Sequence, residues 1–289
     1  MTYRSMVTEG GRVLAAAGVP EAELDAWYLL EYLRKERGSR SDRQWYLLCR
    51  EEEADMEEEE GYRELIGRRA KRIPLQQITG EQEFMGFPFL VNEHVLIPRQ
   101  DTETLVEEAM EKSGKGDRVL DMCTGSGCIL LSLLKLVPGL SGTGADISQE
   151  ALKVAVENGK RLQTEASFLE SDLFEKVEGV FDLIVSNPPY IASDEIGTLM
   201  EEVRDHEPIG ALDGSADGLA FYRRLVQEGK DHLKSGGWML FEIGCTQAEA
   251  VMELLKKGGF QEIYVKKDLA GLDRVVGGRK PKQEERKNV

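Results

Sequence analysis

From Gly116 onward, short apolar stretches alternate with amphipathic ones, and this alternation is the strongest constraint on what the chain can fold into. Strands are expected at 118–121, 142–147, 166–169, 181–186 and 238–243, with two more near 261–266 and 274–276. Helices are expected between them at 128–136, 150–162, 219–233 and 247–257, the third of these stopped by Ser235-Gly236-Gly237. Strands separated by helices cannot pair as hairpins. They need crossover connections, so the pattern implies an α/β sheet covered by helices on both faces.

The chain ahead of this region reads differently. Ala26, Leu29, Leu30 and Leu33 are spaced i, i+3, i+4, i+7 for one buried helix face, and Pro20 suits a first helical turn. The acidic run from Glu51-Glu52-Glu53 through Glu57-Glu58-Glu59-Glu60 gives way to Arg63, Arg68, Arg69, Lys71 and Arg72. That layout predicts one long solvated helix with charges placed favourably along its dipole. Ile73-Pro74 should end it, and 84–97, punctuated by Gly86, Pro88 and Asn92, should form a β-hairpin connector. The resulting division is a helical domain at 1–78, a hairpin linker at 79–98, the α/β domain at 99–277 and a loose charged tail at 278–289.

At 289 residues the chain has length for two domains and a real core. Its net charge of -16 disfavours nucleic-acid binding through general electrostatic attraction, though not a local basic groove. Cys49, Cys123, Cys128 and Cys245 form no Cys-x-x-Cys pair, and His94, His206 and His232 are scattered, so no metal site is expected. No signal-like or membrane-length apolar run is visible, which makes a cytoplasmic location the default expectation.

Two motifs lie where the pattern puts strand ends. In the first, Val119-Leu120-Asp121-Met122 runs into Cys123-Thr124-Gly125-Ser126-Gly127 and then a helix, a turn that lets bare backbone approach a ligand. Asp146 ends the next strand 19 residues beyond Gly127, placed to accept hydrogen bonds from a ribose diol. The third glycine of a dinucleotide fingerprint is replaced by Leu130, which favours S-adenosylmethionine over NAD, since no pyrophosphate then needs the helix N-terminus. Asp172, after the third strand, is placed for an adenine amine, with Leu173 or Phe174 either against the ring or in the core. Asp121 reads as a cofactor contact or as a strand-end cap.

The second motif is Asn187-Pro188-Pro189-Tyr190, directly behind the apolar run 181–186. Two prolines fix φ and carry no backbone N–H, so the turn leaves carbonyl oxygens in search of donors. With the Asn187 side-chain oxygen and the Pro188 carbonyl as acceptors and Tyr190 as a flat face, the tetrapeptide suits a planar NH2 group, unless it is only a proline turn. If the first strand is central, Asn187 emerges beside the glycine turn, in the crevice where ligands of open α/β sheets bind.

These residues, with Pro74-Leu75-Gln76-Gln77-Ile78-Thr79-Gly80, Val95-Leu96-Ile97-Pro98-Arg99, Asp101-Thr102-Glu103, Glu207-Pro208, Asp217-Gly218-Leu219, Phe241-Glu242-Ile243-Gly244 and Asp273-Arg274, make a chain that resembles the release factor glutamine methyltransferase family over nearly its whole length. The resemblance implies a Rossmann-like class I methyltransferase domain with a mostly parallel seven-stranded sheet, joined by a hairpin to an N-terminal helical bundle. It implies S-adenosylmethionine as donor, S-adenosylhomocysteine as product and no metal. The implied substrate is the glutamine of the Gly-Gly-Gln tripeptide of peptide chain release factors, the proteins of translation termination. Cys123, Thr124, Gly125, Ser126, Gly127, Asp146, Asp172, Leu173 and Asn187 would bind the cofactor. Asn187, Pro188, Pro189 and Tyr190 would bind the substrate amide, with Asn187, Pro188 and Tyr190 catalytic. Two positions depart from the family: Gln100 stands where a proline is expected, and Cys123 where many relatives carry glycine. The rival reading is a nucleic-acid methyltransferase acting on an adenine amine, which presents the same two donors.

Overall fold

The computed structural model describes residues 1–282 and divides into two compact units. The first takes in Met1–Glu81 and also the later segment Met200–His206, which sequence division had left wholly in the α/β part. Its helices are α1 (Tyr3–Ala16), α2 (Ala22–Glu36), α3 (Arg43–Cys49), α4 (Met56–Arg69) and the short α5 (Leu75–Thr79). Thr2, Asp42 and Asp55 cap α1, α3 and α4 by accepting a backbone N–H of the first turn. Ala26, Leu29 and Leu30 are fully buried as their spacing requires, with Leu33 packed at the margin. Pro20 lies ahead of α2, whose N-cap is Glu21, and so stands outside the first turn it was expected to occupy.

The acidic stretch does not form one solvated helix. Glu51-Glu52-Glu53 precedes α4, which begins only after the Asp55 cap, and Glu58 is buried. Glu58 closes a capping box with Asp55, pairs with Arg34 and accepts the Tyr3 hydroxyl at 2.6 Å. Arg34 in turn stacks 3.8 Å over the Trp45 ring. Met200–His206 belongs with this unit because Glu202 is buried there, accepting from Arg69 at 3.0 Å and from Arg72 at 2.7 Å. Burying a charged carboxylate is costly unless it is paired and hydrogen-bonded, and these two arginines lie far away in sequence.

The second unit begins with a hairpin, β1 (Glu81–Phe84) and β2 (Phe87–Leu90). Its two-residue turn, Met85-Gly86, has φ of 52° and 76°, the mirror-image geometry that matches strand twist. The hairpin is therefore shorter and earlier than the expected 84–97, with only irregular chain after Leu90. Next come a 3-10 turn (Gln100–Thr102), α6 (Glu103–Lys112), β3 (Arg118–Met122), α7 (Cys128–Leu136), β4 (Ser141–Asp146), α8 (Gln149–Arg161), β5 (Ser167–Glu170) and β6 (Phe181–Ser186). The chain continues through α9 (Glu201–His206, part of the first unit), α10 (Ala220–Gly229), β7 (Leu233–Glu242), α11 (Ala248–Lys257), β8 (Gln261–Lys267) and β9 (Asp273–Arg279). Gln100 falls in the first position of its 3-10 turn, where a proline's missing N–H would cost nothing.

The seven strands order as β5-β4-β3-β6-β7-β9-β8, parallel except for β9, which runs antiparallel to both β7 and β8. Two helix and tail assignments need correction. The helix expected at 219–233 ends at Gly229, and β7 already starts at Leu233, opposite Phe181. Ser235-Gly236-Gly237 is thus strand, because a Cβ on Gly237 would stand 2.7 Å from the Asp182 carbonyl of the neighbouring strand. At the other end, Gly278 and Arg279 complete β9 instead of starting a tail, Arg279 pairing with Trp238. The rest of the expected tail, 283–289, lies outside the described residues.

Leu130, where a dinucleotide fingerprint has glycine, is fully buried against β4. The space comes from the strand side, since its Cδ1 occupies the place a Cβ on Gly142 would take. One core layer joins Leu120, Ile184, Tyr222 and Phe241 with α10 and α11; the other joins Phe84, Phe89, Leu130 and Leu183 with α6 and α7.

Candidate active site

β3 lies between β4 and β6, so chain order reverses at its carboxyl end. Met122 pairs with Ala145 on one side and Ser186 on the other, and Ser186 Oγ donates to the Met122 carbonyl at 2.6 Å. This register brings Cys123, Asp146 and Asn187 to one edge, around a cavity of about 600 Å3. Of the residues singled out in sequence, Cys123, Thr124, Gly125, Ser126, Asp146, Asp172, Leu173, Asn187 and Pro189 line it. Gly127, Pro188 and Tyr190 do not.

The glycine turn is held from several sides. Cys123 has φ of 62°, a left-handed conformation that a glycine would adopt without strain, and Gly127, with φ of 78°, is the N-cap of α7. Asp146 Oδ2 accepts the Gly125 N–H at 2.9 Å and its Oδ1 accepts the Ser148 N–H at 2.9 Å. Lone pairs remain on both oxygens for a diol. Burial pushes the Asp146 carboxyl above its ordinary value, and those backbone donors oppose the shift. Asn158, buried on α8, donates to the Ser126 carbonyl at 2.9 Å and brackets Leu90 of the hairpin with both ends of its amide. Nothing local in the sequence distinguishes Asn158 from a polar helix residue.

Asp121 is fully buried. Its Oδ2 accepts the Thr124 hydroxyl at 2.6 Å, as a strand-end cap would, but Oδ1 has no hydrogen-bond partner among the described residues. Burial pushes its carboxyl up to about 7, the Thr124 hydroxyl and Leu130 N–H pulling the other way. A folded-state value above that of an unfolded aspartate means the native state binds the proton more tightly, so stability falls as pH rises from about 4 to about 7. Asp121→Asn lacks this contribution. The Tm difference, variant minus parent, should therefore grow more positive across that pH range in cofactor-free protein; a constant difference would show that another group titrates.

Asp172 lines the cavity with its Oδ1 accepting from Arg224 at 2.7 Å, which leaves Oδ2 as the oxygen without a hydrogen-bond partner among the described residues. Leu173 is buried and also lines the cavity, whereas Phe174 belongs to the core, stacked on His232 at 5.0 Å. Tyr190 is likewise engaged. Its hydroxyl donates to Glu242 Oε1 at 3.4 Å and its carbonyl accepts from Gln247 Nε2 at 2.9 Å, which anchor the residue at both its ring tip and its backbone. Burial and the Glu242 charge raise the phenol's pKa.

Thr102, Arg99, Phe221 and Arg224 also line the cavity and were not assigned roles from sequence. Arg99 pairs with the buried Glu207. Glu242 appeared in the sequence only as part of the Phe241-Glu242-Ile243-Gly244 motif, without a role, and it is the last residue of β7. It is 1% exposed, and burial pushes its carboxyl up to about 7, opposed by the Thr102 hydroxyl and by Arg274. Among the described residues no helix is long and apolar enough to cross a membrane, and no group of three or more His, Cys, Asp or Glu is arranged to hold a metal ion.

A parallel sheet with a glycine turn and an Asn-Pro-Pro-Tyr loop on one cavity is the architecture of an S-adenosylmethionine-dependent methyltransferase. The methyltransferase small domain family matches residues 100–203, and the PrmC N-terminal domain family matches residues 5–80. The release factor glutamine methyltransferase of Geobacter sulfurreducens is 42% identical over 279 residues, 96% of each chain. That of Koribacter versatilis is 40% identical, over 97% of this chain and 99% of its own. A methyltransferase from Pyrococcus furiosus shares the fold, with a TM-score of 0.55 at 18% identity over 74% of this chain and 98% of its own. The chain belongs to the release factor glutamine methyltransferase family.

Proposed function

We propose that the chain methylates the side-chain amide nitrogen of the glutamine in the Gly-Gly-Gln tripeptide of peptide chain release factors, with S-adenosylmethionine as donor and S-adenosylhomocysteine as product. The observation that carries the reading is the shared cavity: the Met122 to Ser186 pairing sets the glycine turn and Asn187 side by side. Family membership supports the choice of substrate. On this reading the protein works in the cytoplasm, in translation termination.

The residues present fit the donor. Asp146 would accept from the ribose, the positive-φ turn from Cys123 to Gly127 would let backbone approach the amino-acid end, and Leu173 would lie against the adenine. When bound, S-adenosylmethionine supplies an electrophilic methyl group on a positively charged sulfur, so the transfer needs no metal. An amide nitrogen is a poor nucleophile because its lone pair is delocalised into the carbonyl. Asn187 Oδ1 and the Pro188 carbonyl would accept its two N–H bonds, raising electron density at nitrogen and fixing its direction of approach. Pro189 would wall the pocket, and Tyr190, anchored by Glu242 and Gln247, would keep the loop rigid.

Methyl-labelled S-adenosylmethionine, incubated separately with a release factor and with unmethylated DNA, tests the reading. Label on the Gly-Gly-Gln glutamine supports it; label on DNA alone reverses it in favour of the adenine-amine enzyme. The cofactor assignment has its own check. Asp146→Ala should weaken S-adenosylmethionine binding by on the order of 10-fold or more by calorimetry, since a half-buried acceptor and two backbone partners are lost together. Unchanged affinity would remove Asp146 from the site.

A further inference from the structure

Asn187 can act as an acceptor only if its carboxamide is turned with oxygen toward the cavity, and nothing in the Asn-Pro-Pro-Tyr loop itself decides which way the amide faces. Its Nδ2 donates instead to Thr102 Oγ1, at 3.4 Å. Thr102 closes the 3-10 turn ahead of α6, is 2% exposed and lines the cavity. Glu242, the last residue of β7, is the nearby carboxylate whose pKa the Thr102 hydroxyl lowers. Glu242 Oε2 is buried and has no hydrogen-bond partner among the described residues, which leaves it an acceptor for a hydroxyl turned toward it.

We propose that Thr102 and Glu242 are positioning residues that fix the orientation of the Asn187 amide. The inference rests on the clamp role of Asn187 and deepens it. A carboxylate can only accept, so an ionised Glu242 draws the single Thr102 proton to itself. The Thr102 lone pairs then face Asn187, where they can receive only the NH2 end. The Asn187 oxygen is left pointing away from Thr102, available to an incoming amide. If Glu242 is protonated, it can donate to Thr102, and the Thr102 proton becomes free to point at Asn187 and favour the flipped amide. Productive orientation therefore requires the charged form of Glu242.

The groups around Glu242 fit this use. Tyr190 and Tyr222 face it from the loop and α10, the latter through the Glu242 carbonyl at 2.8 Å, and neither phenol ionises near neutrality because burial raises both. Arg274 on β9 supports the negative charge, and Asp101 opposes it. Arg274 is itself held by Asp268 and Asp101, each at 3.1 Å. Cys128 at the start of α7 is buried, with its thiol pushed up to about 12, and stays neutral. Glu242 is thus the group in this cluster that titrates near pH 7.

The test uses the full chain with S-adenosylmethionine and a release factor. Thr102→Val keeps the shape and removes the hydroxyl; it should lower kcat by on the order of 10-fold to 10²-fold, with KM and cofactor Kd within about threefold. Thr102→Ser restores the hydroxyl and should recover kcat to within about threefold. The kcat of the parent should fall as pH drops through about 7, and Glu242→Gln, which relieves a buried charge and should fold, should abolish that limb. Full kcat in Thr102→Val, an equal loss in Thr102→Ser, or a loss carried by cofactor Kd overturns the proposal. So does a parent profile flat between pH 6 and 8, or a limb that survives in Glu242→Gln. These outcomes leave the clamp itself standing when Asn187→Ala is inactive; an active Asn187→Ala sinks the clamp instead.

Discussion

Asn187→Ala is expected to lower turnover by on the order of 10²-fold or more while leaving S-adenosylmethionine affinity nearly unchanged. The substitution removes an oriented acceptor without touching the glycine turn, whose own contacts run through Asp146 and Asn158. An acceptor aimed at the substrate nitrogen works mainly in the transition state, where electron density must build at that nitrogen, so the loss should fall on kcat more than on KM. Single-turnover methylation of a release factor, with cofactor affinity measured in parallel, separates the two. Near-normal turnover would mean that the amide is activated elsewhere.

Gly218→Ala should be as damaging, although Gly218 lies 31 residues further along the chain. Its φ is 69°, and a Cβ there would sit on the Tyr190 carbonyl oxygen and 2.7 Å from Gln247 Nε2, the group that holds that carbonyl. Neither neighbour can yield without moving the loop that carries Asn187. Gly214 makes the contact tighter, since a Cβ on it would meet the Tyr190 and Gly218 Cα atoms at 2.8 Å. A displacement of about 1 Å in a positioned group costs on the order of 10²-fold in rate, and left-handed strain adds about 1–2 kcal/mol against folding. The expected result is loss of turnover with a lower Tm. Gly197→Ala, where a Cβ meets nothing within 4 Å, serves as the control and should change neither. Full activity in Gly218→Ala would show that the loop tolerates rearrangement.

How much of this could be read in advance depended on how local each signal was. α7 was legible to the residue, because Gly127 must precede it and the apolar run that follows has helical length. β6 was equally plain, bounded by a turn on one side and Pro188 on the other. The helix read at 219–233 ran too far because Leu233 and the glycines after it are ambiguous alone. Only pairing with Phe181 and the close pass by Asp182 make them strand. Glu58 was misread for the same reason, since an acidic residue looks solvated until its arginine partner is found elsewhere in the chain.

The sequence by itself determined the alternation of strand and helix, the turn chemistry at both strand ends, and the family, because these depend on neighbours in the chain. Tertiary structure alone decided what surrounds the acceptor. Thr102, Gly218, Glu242 and Gln247 reach the Asn187-Pro188-Pro189-Tyr190 loop from four separate segments, and only the sheet register assembles them. The orientation of one amide and the titration of one buried carboxylate come from low-dielectric contacts between distant residues, which have no signature in local spacing.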